Sequence, residues 1–414
     1  MDTLKANLYY MRKILGSFLC VIFSTTGAGY SQNQIQGREV VLGKVNNAIT
    51  TAVPFLLIAP DSRLGGMGEV GVAVLEDGNA QHWNPSKYLF SKSDFGFSIS
   101  YSPWLAGLQV DDIYHLYLSA YYKATKMDAI SFSLRFFSMG KMELTDMQGN
   151  VIIQARPYEF AIDAAYSRIL TEGLSMAITG RFVYSELSKY SYTQDIKAGL
   201  AGAADISLFY TKKFKPGKLY NHNLNVGLNI ANIGNKVSYS STLDRDFLPA
   251  NFRLGIAYDM YFDKYNKLTL AFDINKLLVT TPPVYKTDTA GRVEIDDSGD
   301  PIVEKGRDPS KTSPAAAVFT SWGDAPGGFE EEMKEFILNF GLEYTYNDLF
   351  SIRAGYFNEA VTKGARKYMT FGVGIKYSVF AIDAAYILPV AARNHPLANT
   401  LRFTLSFDFD VKKN

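Results

Sequence analysis

The sequence has little cysteine, little histidine and no excess of either charge. Lysine and arginine number 42 and aspartate and glutamate 41, which gives a formal net charge of +1. A near-neutral chain lacks the surplus of basic side chains that neutralises phosphates, which argues against a nucleic-acid partner. After residue 30 no segment approaches the run of about 18 apolar residues that a membrane-spanning helix needs. The sequence therefore excludes an ordinary helical membrane protein.

Aromatic side chains, in contrast, make up 14% of the residues, and apolar and polar side chains alternate with a period of two. The alternation is clean in residues 131–136, 224–230 and 401–409. Most such segments are near the length, about 9 to 11 residues, that crosses a membrane as a tilted strand. The fourteen predicted strands are 94–102, 115–123, 129–137, 159–168, 174–184, 202–212, 224–231, 250–261, 268–275, 336–345, 350–358, 368–377, 380–388 and 400–409.

The connections between these strands alternate between short and long. Outer-membrane barrels show this asymmetry because their periplasmic turns are short and their external loops are longer. The pattern predicts an all-β fold, a 14-stranded antiparallel transmembrane β-barrel over residues 94–409 that contacts outer-membrane lipid. The even strand number predicts that both termini are periplasmic. The longest connection, residues 276–335, is predicted to be an extracellular loop.

The heptapeptide FAIDAAY occurs at residues 160–166 and again at 380–386, each time with a carboxylate inside an apolar run. In a barrel wall the large apolar side chains of each copy point to lipid, and the aspartate points to the lumen. A charge that faced lipid at the midplane would cost about 2–4 kcal/mol. We therefore predict a luminal network that ties an N-terminal segment to the inner wall. Its predicted members are Asp163, Arg353, Asp383 and Arg402.

The first 32 residues have the order of a secretory signal peptide. Arg12 and Lys13 precede the apolar stretch 14–23, and small residues follow it. The only cysteine, Cys20, lies in that stretch. Removal of residues 1–32 would therefore leave a mature chain without cysteine.

Residues 33–93 precede the first predicted strand and are rich in Gly, Ala, Asn and Pro. Barrels of about 8 strands fill themselves with side chains and barrels of about 16–18 leave a channel, so fourteen strands leave a bore to be occupied. We predict that this segment is an N-terminal plug or hatch. A small periplasmic subdomain or a flexible tail is the alternative. The residues predicted to shape the plug are Gly66, Gly68, Asn84 and Pro85.

The glycines of this segment match the G-x-G-x-x-G pattern of dinucleotide-binding sites at Gly66, Gly68 and Gly71, after strand-like residues 54–59. Such a site requires a βαβ unit, and the flanking chain offers no second parallel strand. Close packing of a plug against the wall needs glycine just as much. We favour the packing interpretation.

The second half of the long connection is more apolar than the first. Residues 315–319 and Trp322 are apolar, and residues 330–336 are predicted to begin a short helix. Loops of this length are usually functional or disordered. Binding of a protein partner and folding over the barrel mouth both remain open. The residues predicted to meet a partner are Trp322, Asp324, Pro326, Gly327, Gly328 and Phe329.

No constellation of catalytic or metal-binding residues stands out. The histidines are His82, His115, His222 and His395, and no pair has the spacing of H-E-x-x-H. The G-x-S-x-G motif of serine hydrolases is also absent. We predict no catalytic residue, no metal site, no cofactor and no enzyme activity.

Several irregular blocks resemble one known family. They are residues 52–63, 65–68, 81–85, 324–331, 353–357 and 397–403. These blocks span nearly the whole mature chain and are similar to the PorV family, the outer-membrane barrel component of the type IX secretion system of Bacteroidetes. The wider resemblance is to FadL-like fatty-acid transporters. It implies a fourteen-stranded barrel with an N-terminal hatch.

The resemblance to PorV implies a plugged barrel whose external loops bind other proteins. Such a barrel would bind an SprA-type translocon channel and receive secreted cargo through its C-terminal signal domain. It would then carry the cargo to a surface attachment complex with a PorU-type sortase. The FadL-like fold implies the alternative, a transporter that moves small hydrophobic molecules past the hatch to a lateral opening.

Overall fold

The structure, a computed structural model, describes residues 40–41, 44–45, 47–75, 77–105, 112–145, 151–187, 197–215, 222–240, 245–289, 292–390, 397 and 400–410. Residues 1–46 and 47–414 form separate units. The described part of the first unit is an antiparallel pair of short strands, Val40–Val41 and Lys44–Val45. The predicted signal peptide lies outside the described residues and stays a prediction.

Fourteen antiparallel strands form the wall of the second unit. They are β1 (Phe95–Pro103), β2 (Ile113–Lys123), β3 (Asp128–Met139), β4 (Tyr158–Thr171), β5 (Leu174–Glu186), β6 (Gly199–Phe214), β7 (His222–Gly234), β8 (Asn251–Tyr261), β9 (Asn266–Leu277), β10 (Ile337–Tyr346), β11 (Phe350–Asn358), β12 (Lys367–Tyr377), β13 (Phe380–Pro389) and β14 (Leu401–Phe409). Every predicted strand is present, and its ends differ from the prediction by at most three residues.

The strands pair in chain order, and β14 pairs with β1 to close the ring. The closing ladder runs from Phe403 opposite Tyr101 to Phe409 opposite Phe95. Every strand has a hydrogen-bonded neighbour on both sides, so the wall has no open edge. A β-structure inside hydrocarbon must be closed in this way, because lipid cannot satisfy the backbone groups of an open edge. The predicted 14-stranded antiparallel barrel is confirmed.

Side chains alternate across this wall. On β4, Ile162 and Tyr166 are exposed on the outer face while Asp163 between them is buried. On β13, Ile382 is exposed and the adjacent Asp383 is buried. The outer face is apolar because lipid offers no hydrogen bonds, whereas the inner face can satisfy charged groups. Both FAIDAAY copies therefore place their aspartate inward.

Short and long connections alternate around the ring. The two-residue turns 172–173 and 378–379 lie at one end, called here the short-turn end, and the connection 278–336 lies at the other, the long-loop end. A small hairpin, Met142–Thr145 with Val151–Ala155, extends the long connection between β3 and β4. That the long connections are extracellular stays a prediction.

The connection 278–336, called here the rim loop, contains its own short elements. They are a strand pair, Val284–Tyr285 with Val303–Lys305, and two helices that follow it in the chain. The helices of the second unit are α1 (Ser62–Gly65), α2 (Ala80–Trp83), α3 (Pro314–Thr320) and α4 (Phe329–Lys334), with 3-10 turns at Pro54–Leu57, Pro85–Phe90 and Val361–Lys363. The short helix predicted near residue 330 is therefore present as α4. Within the described ranges no helix combines the length and apolarity needed to span a membrane.

Residues 47–93, called here the luminal segment, contact inward-facing side chains on opposite sides of the ring. The backbone N–H of Ser62 donates to Thr404 Oγ1 on β14 (2.9 Å). Half-way around the ring, Asn229 Nδ2 on β7 donates to the carbonyl oxygen of Trp83 (3.0 Å). The segment therefore packs against the inner face of the wall, and its role as a plug or hatch stays a prediction.

The luminal segment runs from one end of the barrel to the other. At the long-loop end, Asn47 Nδ2 donates to Glu331 Oε1 of the rim loop (2.9 Å). At the short-turn end, Lys123 Nζ donates to the carbonyl oxygen of Ser91, shortly before β1 begins. The predicted periplasmic location of both termini is not tested by this path, since the segment before residue 47 is largely outside the described residues.

Candidate functional site in the lumen and at the rim

A buried carboxylate organises the luminal segment. Asp61 is the N-cap of α1, where it accepts from the backbone N–H of Leu64 (2.8 Å), and it also accepts from Trp83 Nε1 (2.7 Å). These two bonds fix α1 against α2.

The predicted plug glycines lie where the luminal segment meets wall backbone. Gly68 has a left-handed φ of 71°, and its N–H donates to Thr370 Oγ1 (2.7 Å). A Cβ on Gly68 would lie 2.4 Å from the carbonyl oxygen of Phe340, and one on Gly355 of β11 would lie 1.9 Å from the nitrogen of Gly68. Gly66 likewise packs against the backbone of β12. Glycine is required here because backbone touches backbone.

Residues 54–59, which are strand-like in sequence, do not form a strand. Residues Pro54–Leu57 form a 3-10 turn, which Pro54 favours at its first position, and Val53 before it has a left-handed φ of 46°. Without a strand ahead of the glycines there is no βαβ unit. The dinucleotide interpretation of the glycine pattern therefore has no structural basis.

Asn84 and Pro85 occupy the turn between α2 and the following 3-10 helix. Asn84 Nδ2 donates to the carbonyl oxygens of Val72 (3.2 Å) and of Leu208 on β6 (2.8 Å). Pro85 begins the 3-10 helix, and its carbonyl oxygen accepts from Ser167 Oγ on β4 (3.1 Å). Both residues thus connect the luminal segment to the wall.

Arg353 and Asp383 form the centre of one buried ionic cluster. Arg353 on β11 contacts Glu343 on β10 and Asp383 on β13, each at 2.6 Å. Arg63 of the luminal segment also pairs with Glu343 (2.8 Å), and Ser62 Oγ donates to the carbonyl oxygen of Asp383 (2.9 Å). This cluster joins α1 to three wall strands.

The other two predicted network residues lie apart from that cluster. Arg402 on β14 pairs with Glu69 of the luminal segment (2.8 Å). Asp163 on β4 pairs with Arg181 on β5 (2.6 Å), which also holds Asp205 on β6 (2.9 Å). The described contacts of Asp163 are to wall residues, so its predicted bond to the plug is not among them.

Two further residues hold the luminal segment in place, one from the wall and one from within the segment, and neither was among the predicted site residues. Asp273 on β9 accepts from the backbone N–H groups of Gly71 (2.7 Å) and Val72 (3.1 Å). Lys87 is buried, and its Nζ donates to the carbonyl oxygen of Gly71 (2.6 Å) and to Asp77 (3.1 Å). Strand alternation placed Asp273 on the inner face, but nothing in the sequence marks Lys87 as a buried lysine.

The predicted partner-binding residues of the rim loop divide into exposed and buried ones. Phe329, at the start of α4, is 80% exposed, as is Phe319 on α3. Trp322 is 44% exposed, and its ring packs edge-on against Phe252, on the outer face of β8, at 5.2 Å. Asp324 is buried. The turn residues Pro326, Gly327 and Gly328 are partly or fully exposed, and Gly328 caps α4 with a φ of 72°.

Buried ion pairs anchor the rim loop to the wall. Lys276 on β9 stands opposite Phe252, so it points outward, yet it is fully buried because Glu332 (2.7 Å) and Glu335 (2.5 Å) cover it. Lys363, in the connection between β11 and β12, pairs with Glu331 (2.6 Å) and Glu335 (2.9 Å). The loop thus neutralises a lysine that would otherwise face outward.

In the part of the chain that the structure describes, no group of His, Cys, Asp and Glu could hold a metal ion.

A closed ring of antiparallel strands with an apolar outer face and a polar interior defines an outer-membrane β-barrel. The chain belongs to the PorV family: the family model described as "Type IX secretion system protein PorV" matches residues 43–284. Membership associates it with the type IX secretion machinery at the outer membrane. The family is one of secretion components, and the absence of catalysis in this chain stays a prediction.

Solved barrels are similar to the chain at low sequence identity. The toluene transporter TodX of Pseudomonas putida is 12% identical, with a TM-score of 0.49 over 89% of this chain and 100% of that one. The toluene transporter TbuX of Ralstonia pickettii is 12% identical, with a TM-score of 0.46 over 85% and 98%. A FadL homologue of Pseudomonas aeruginosa is 10% identical, with a TM-score of 0.42 over 88% and 100%. No curated protein matches the chain.

Proposed function

We propose that this protein is the type IX component that binds the SprA-type translocon channel and carries cargo to the PorU-type attachment complex at the cell surface. The observation that carries the proposal is a lumen occupied by the luminal segment beside a rim loop with exposed aromatic side chains. Residues 47–93 form hydrogen bonds with the wall on opposite sides of the ring, at Thr404 and at Asn229. Hydrogen bonds that cross the lumen in this way favour a role for the outer surface of the barrel.

The rim loop has the properties of a preorganised binding surface. Phe319 and Phe329 are each 80% exposed on helices, and the loop that carries them is anchored by the buried lysines Lys276 and Lys363. Rigid aromatic anchors bind with a small loss of conformational entropy, and aromatic residues often dominate binding energy. We assign to this surface the contact with the translocon channel or with the C-terminal signal domain of cargo. In this arrangement the long-loop end faces the outside of a Bacteroidetes cell.

Phe319→Ser combined with Phe329→Ser tests the proposal. The double variant should insert into the outer membrane as wild type does, lose co-purification with the translocon channel, and leave cargo unreleased. Tyr377→Ser is the matched control, because Tyr377 is a 65% exposed aromatic at the short-turn end. Normal cargo release by the rim variant would contradict the proposal.

One observation favours the second candidate function, transport of small hydrophobic molecules. A cavity of about 390 Å³ lies between the luminal segment and the long connections, lined in part by Leu57, Ile58, Trp104 and Tyr368. This volume is within the range of ligand pockets, about 300–1,000 Å³. Mass spectrometry of organic extracts from the purified protein distinguishes the two. A stoichiometric hydrophobic ligand, with cargo release unaffected in the rim variant, would favour transport.

A further inference from the structure

The first residues of the luminal segment, 47–51, are held by the rim loop. Asn47 Nδ2 donates to Glu331 Oε1 on α4 (2.9 Å) and to the carbonyl oxygen of Pro282 near the start of the rim loop (3.2 Å). From Ala52 onward the segment packs against inner-face residues of the wall such as Ala161. The attachment of the segment therefore changes from the rim loop to the wall within a few residues.

The carboxylate of Glu331 is shared by three elements. Its Oε1 also accepts from Lys363 Nζ in the connection between β11 and β12 (2.6 Å), and its Oε2 accepts from the backbone N–H of Gly327 (2.7 Å). The backbone N–H of Asn47 donates to the carbonyl oxygen of Thr362, next to Lys363 (3.0 Å). Only 18% of the Glu331 side chain is exposed, so these bonds are largely protected from water.

An apolar contact joins the same residues to the other helix of the rim loop. Ile49 packs against a cluster formed by Phe247, Val279 and Ala317. Val279 is at the start of the rim loop, and Ala317 is on α3, two residues before the exposed Phe319. One short helix thus carries both a buried residue of this cluster and an exposed aromatic side chain.

The rest of the luminal segment has separate attachments to the wall. Arg63 pairs with Glu343 on β10, and Glu69 pairs with Arg402 on β14, both at 2.8 Å. Neither pair includes the rim loop, so loss of the contacts at Glu331 leaves both intact. Parts of a protein that are joined by few contacts open separately. Residues 47–51 can therefore open with the rim loop while the rest of the segment stays in place.

We propose that residues 47–51 and the rim-loop helices α3 and α4 form one conformational switch. While the helices are packed on the wall, Asn47 and Ile49 are fixed at the long-loop end. When the helices move away, residues 47–51 are released and the remainder of the luminal segment stays bound. The coupling is reciprocal, because a shared contact stabilises both elements that make it.

The switch connects the exposed aromatic residues of the rim loop to the luminal segment. A protein bound at Phe319 and Phe329 would change the position of α3 and α4 and, through them, that of residues 47–51. This consequence rests on the proposed function, whereas the coupling is a property of the protein alone.

Hydrogen–deuterium exchange of the purified protein in detergent tests the coupling. The backbone N–H groups of Asn47 and Ala52 are hydrogen-bonded to the long connections, so exchange at residues 47–52 measures their release. Glu331→Ala should raise this exchange rate at least about tenfold, the factor that corresponds to one lost hydrogen bond to a charged group. Exchange at residues 62–68 should stay at the wild-type rate.

Glu330→Ala is the matched control. Glu330 precedes Glu331 on α4, and its side chain is 72% exposed and pairs with Lys334, so this variant should leave exchange at residues 47–52 unchanged. In the opposite direction, Asn47→Ala should raise exchange at residues 327–334. Because Asn47 and Glu331 belong to different elements, failure of one variant to fold leaves the other as the test.

Three results would overturn the proposal. They are unchanged exchange at residues 47–52 in Glu331→Ala, an equal increase in both glutamate variants, and unchanged exchange at residues 327–334 in Asn47→Ala. These measurements involve neither cargo nor the translocon channel. Failure of the coupling is therefore distinguishable from failure of the proposed function.

Discussion

Single glycines determine how closely the luminal segment approaches the wall. Gly68 and Gly355 meet so closely that a Cβ on Gly355 would lie 1.9 Å from the nitrogen of Gly68. No rotamer change relieves such an overlap, because the atoms belong to two backbones. The segment or strand β11 would have to move.

Gly355→Ala should therefore displace the luminal segment and destabilise the protein by at least about 1–3 kcal/mol, the usual cost of overpacking. Faster protease cleavage within residues 47–93 and a lower unfolding temperature in detergent measure the effect. Gly180→Ala on β5 is the control, since a Cβ there would meet no atom within 4 Å. The same cleavage rate in both variants would show that this contact does not hold the segment.

Arg353→Met should be among the most destabilising single charge removals in the wall. It leaves the buried Asp383 without its cation, and breaking a buried pair costs about 3–5 kcal/mol. Adding Asp383→Asn should recover part of the loss, which thermal unfolding would detect. Lys376→Met breaks the more exposed pair with Asp408 and should cost less than about 1 kcal/mol. If Arg353→Met and Lys376→Met lowered the unfolding temperature equally, this ranking would be refuted.

The sequence could predict which residues face the lumen but not which of them meet. Alternation placed Arg353, Asp383 and Arg402 on the inner face. A charged side chain on the outer face would meet hydrocarbon, so it must point toward the lumen. Their partners depend on strand register and on the strand between them. Arg353 on β11 reaches Asp383 on β13 across Gly374 of β12, where a side chain would collide with both. The pair of Arg402 with Glu69 depends on the path of the luminal segment.

At the scale of elements, the rim loop is anchored by ion pairs but also buries one carboxyl group among like charges. Lysines from two separate parts of the chain hold α4, but Asp324 is buried near Glu332 and Glu335. Burial, with these like charges, raises the pKa of Asp324 to about 6 from its usual 3.8. The folded loop therefore binds a proton more tightly than the unfolded loop does. The contribution of Asp324 to the stability of the loop is therefore fully present below about pH 4 and is lost as pH rises through about 6.

Asp324→Asn should remove this pH dependence while it keeps an acceptor for Thr281. Protease cleavage within residues 278–336 should be slower in the variant than in wild type at pH 7, by a stabilisation on the order of 1–3 kcal/mol, and equal at pH 4. Asp297→Asn, at an exposed position of the same loop, is the control. A variant that is cleaved faster than wild type at pH 7 would mean that the carboxylate stabilises the loop.

The wall strands were predictable from the sequence, whereas the short helices of the luminal segment were not, for a physical reason. Each wall strand faces lipid on one side, so its sequence must alternate, and all fourteen were found from that pattern. The luminal segment is surrounded by wall, and its helices α1 and α2 are each a single turn held by contacts such as Asp61 with Trp83. Such contacts leave no period in the sequence. The strand-like residues 54–59 accordingly form a 3-10 turn over Pro54–Leu57.

At the scale of the whole molecule, the luminal segment has one exposed residue near each end of the barrel, so the orientation of the barrel can be tested by labelling. Thr50 is exposed near the long-loop end, and Lys92 is exposed near the short-turn end. Thr50→Cys should react with a membrane-impermeant maleimide in intact cells, because long connections face outward in outer-membrane barrels. Lys92→Cys should react only after the outer membrane is permeabilised. The reverse pattern would invert the proposed orientation.

The path of the chain also constrains how the barrel is made. The luminal segment precedes every wall strand in the sequence, yet Ser62 is bonded to Thr404 on the last strand, and that strand seals against the first. We therefore expect the sheet to close around a luminal segment that already lies along the barrel axis. Closure of the ring and final packing of the segment would then be one assembly step, so a defect in either should leave the same unclosed intermediate.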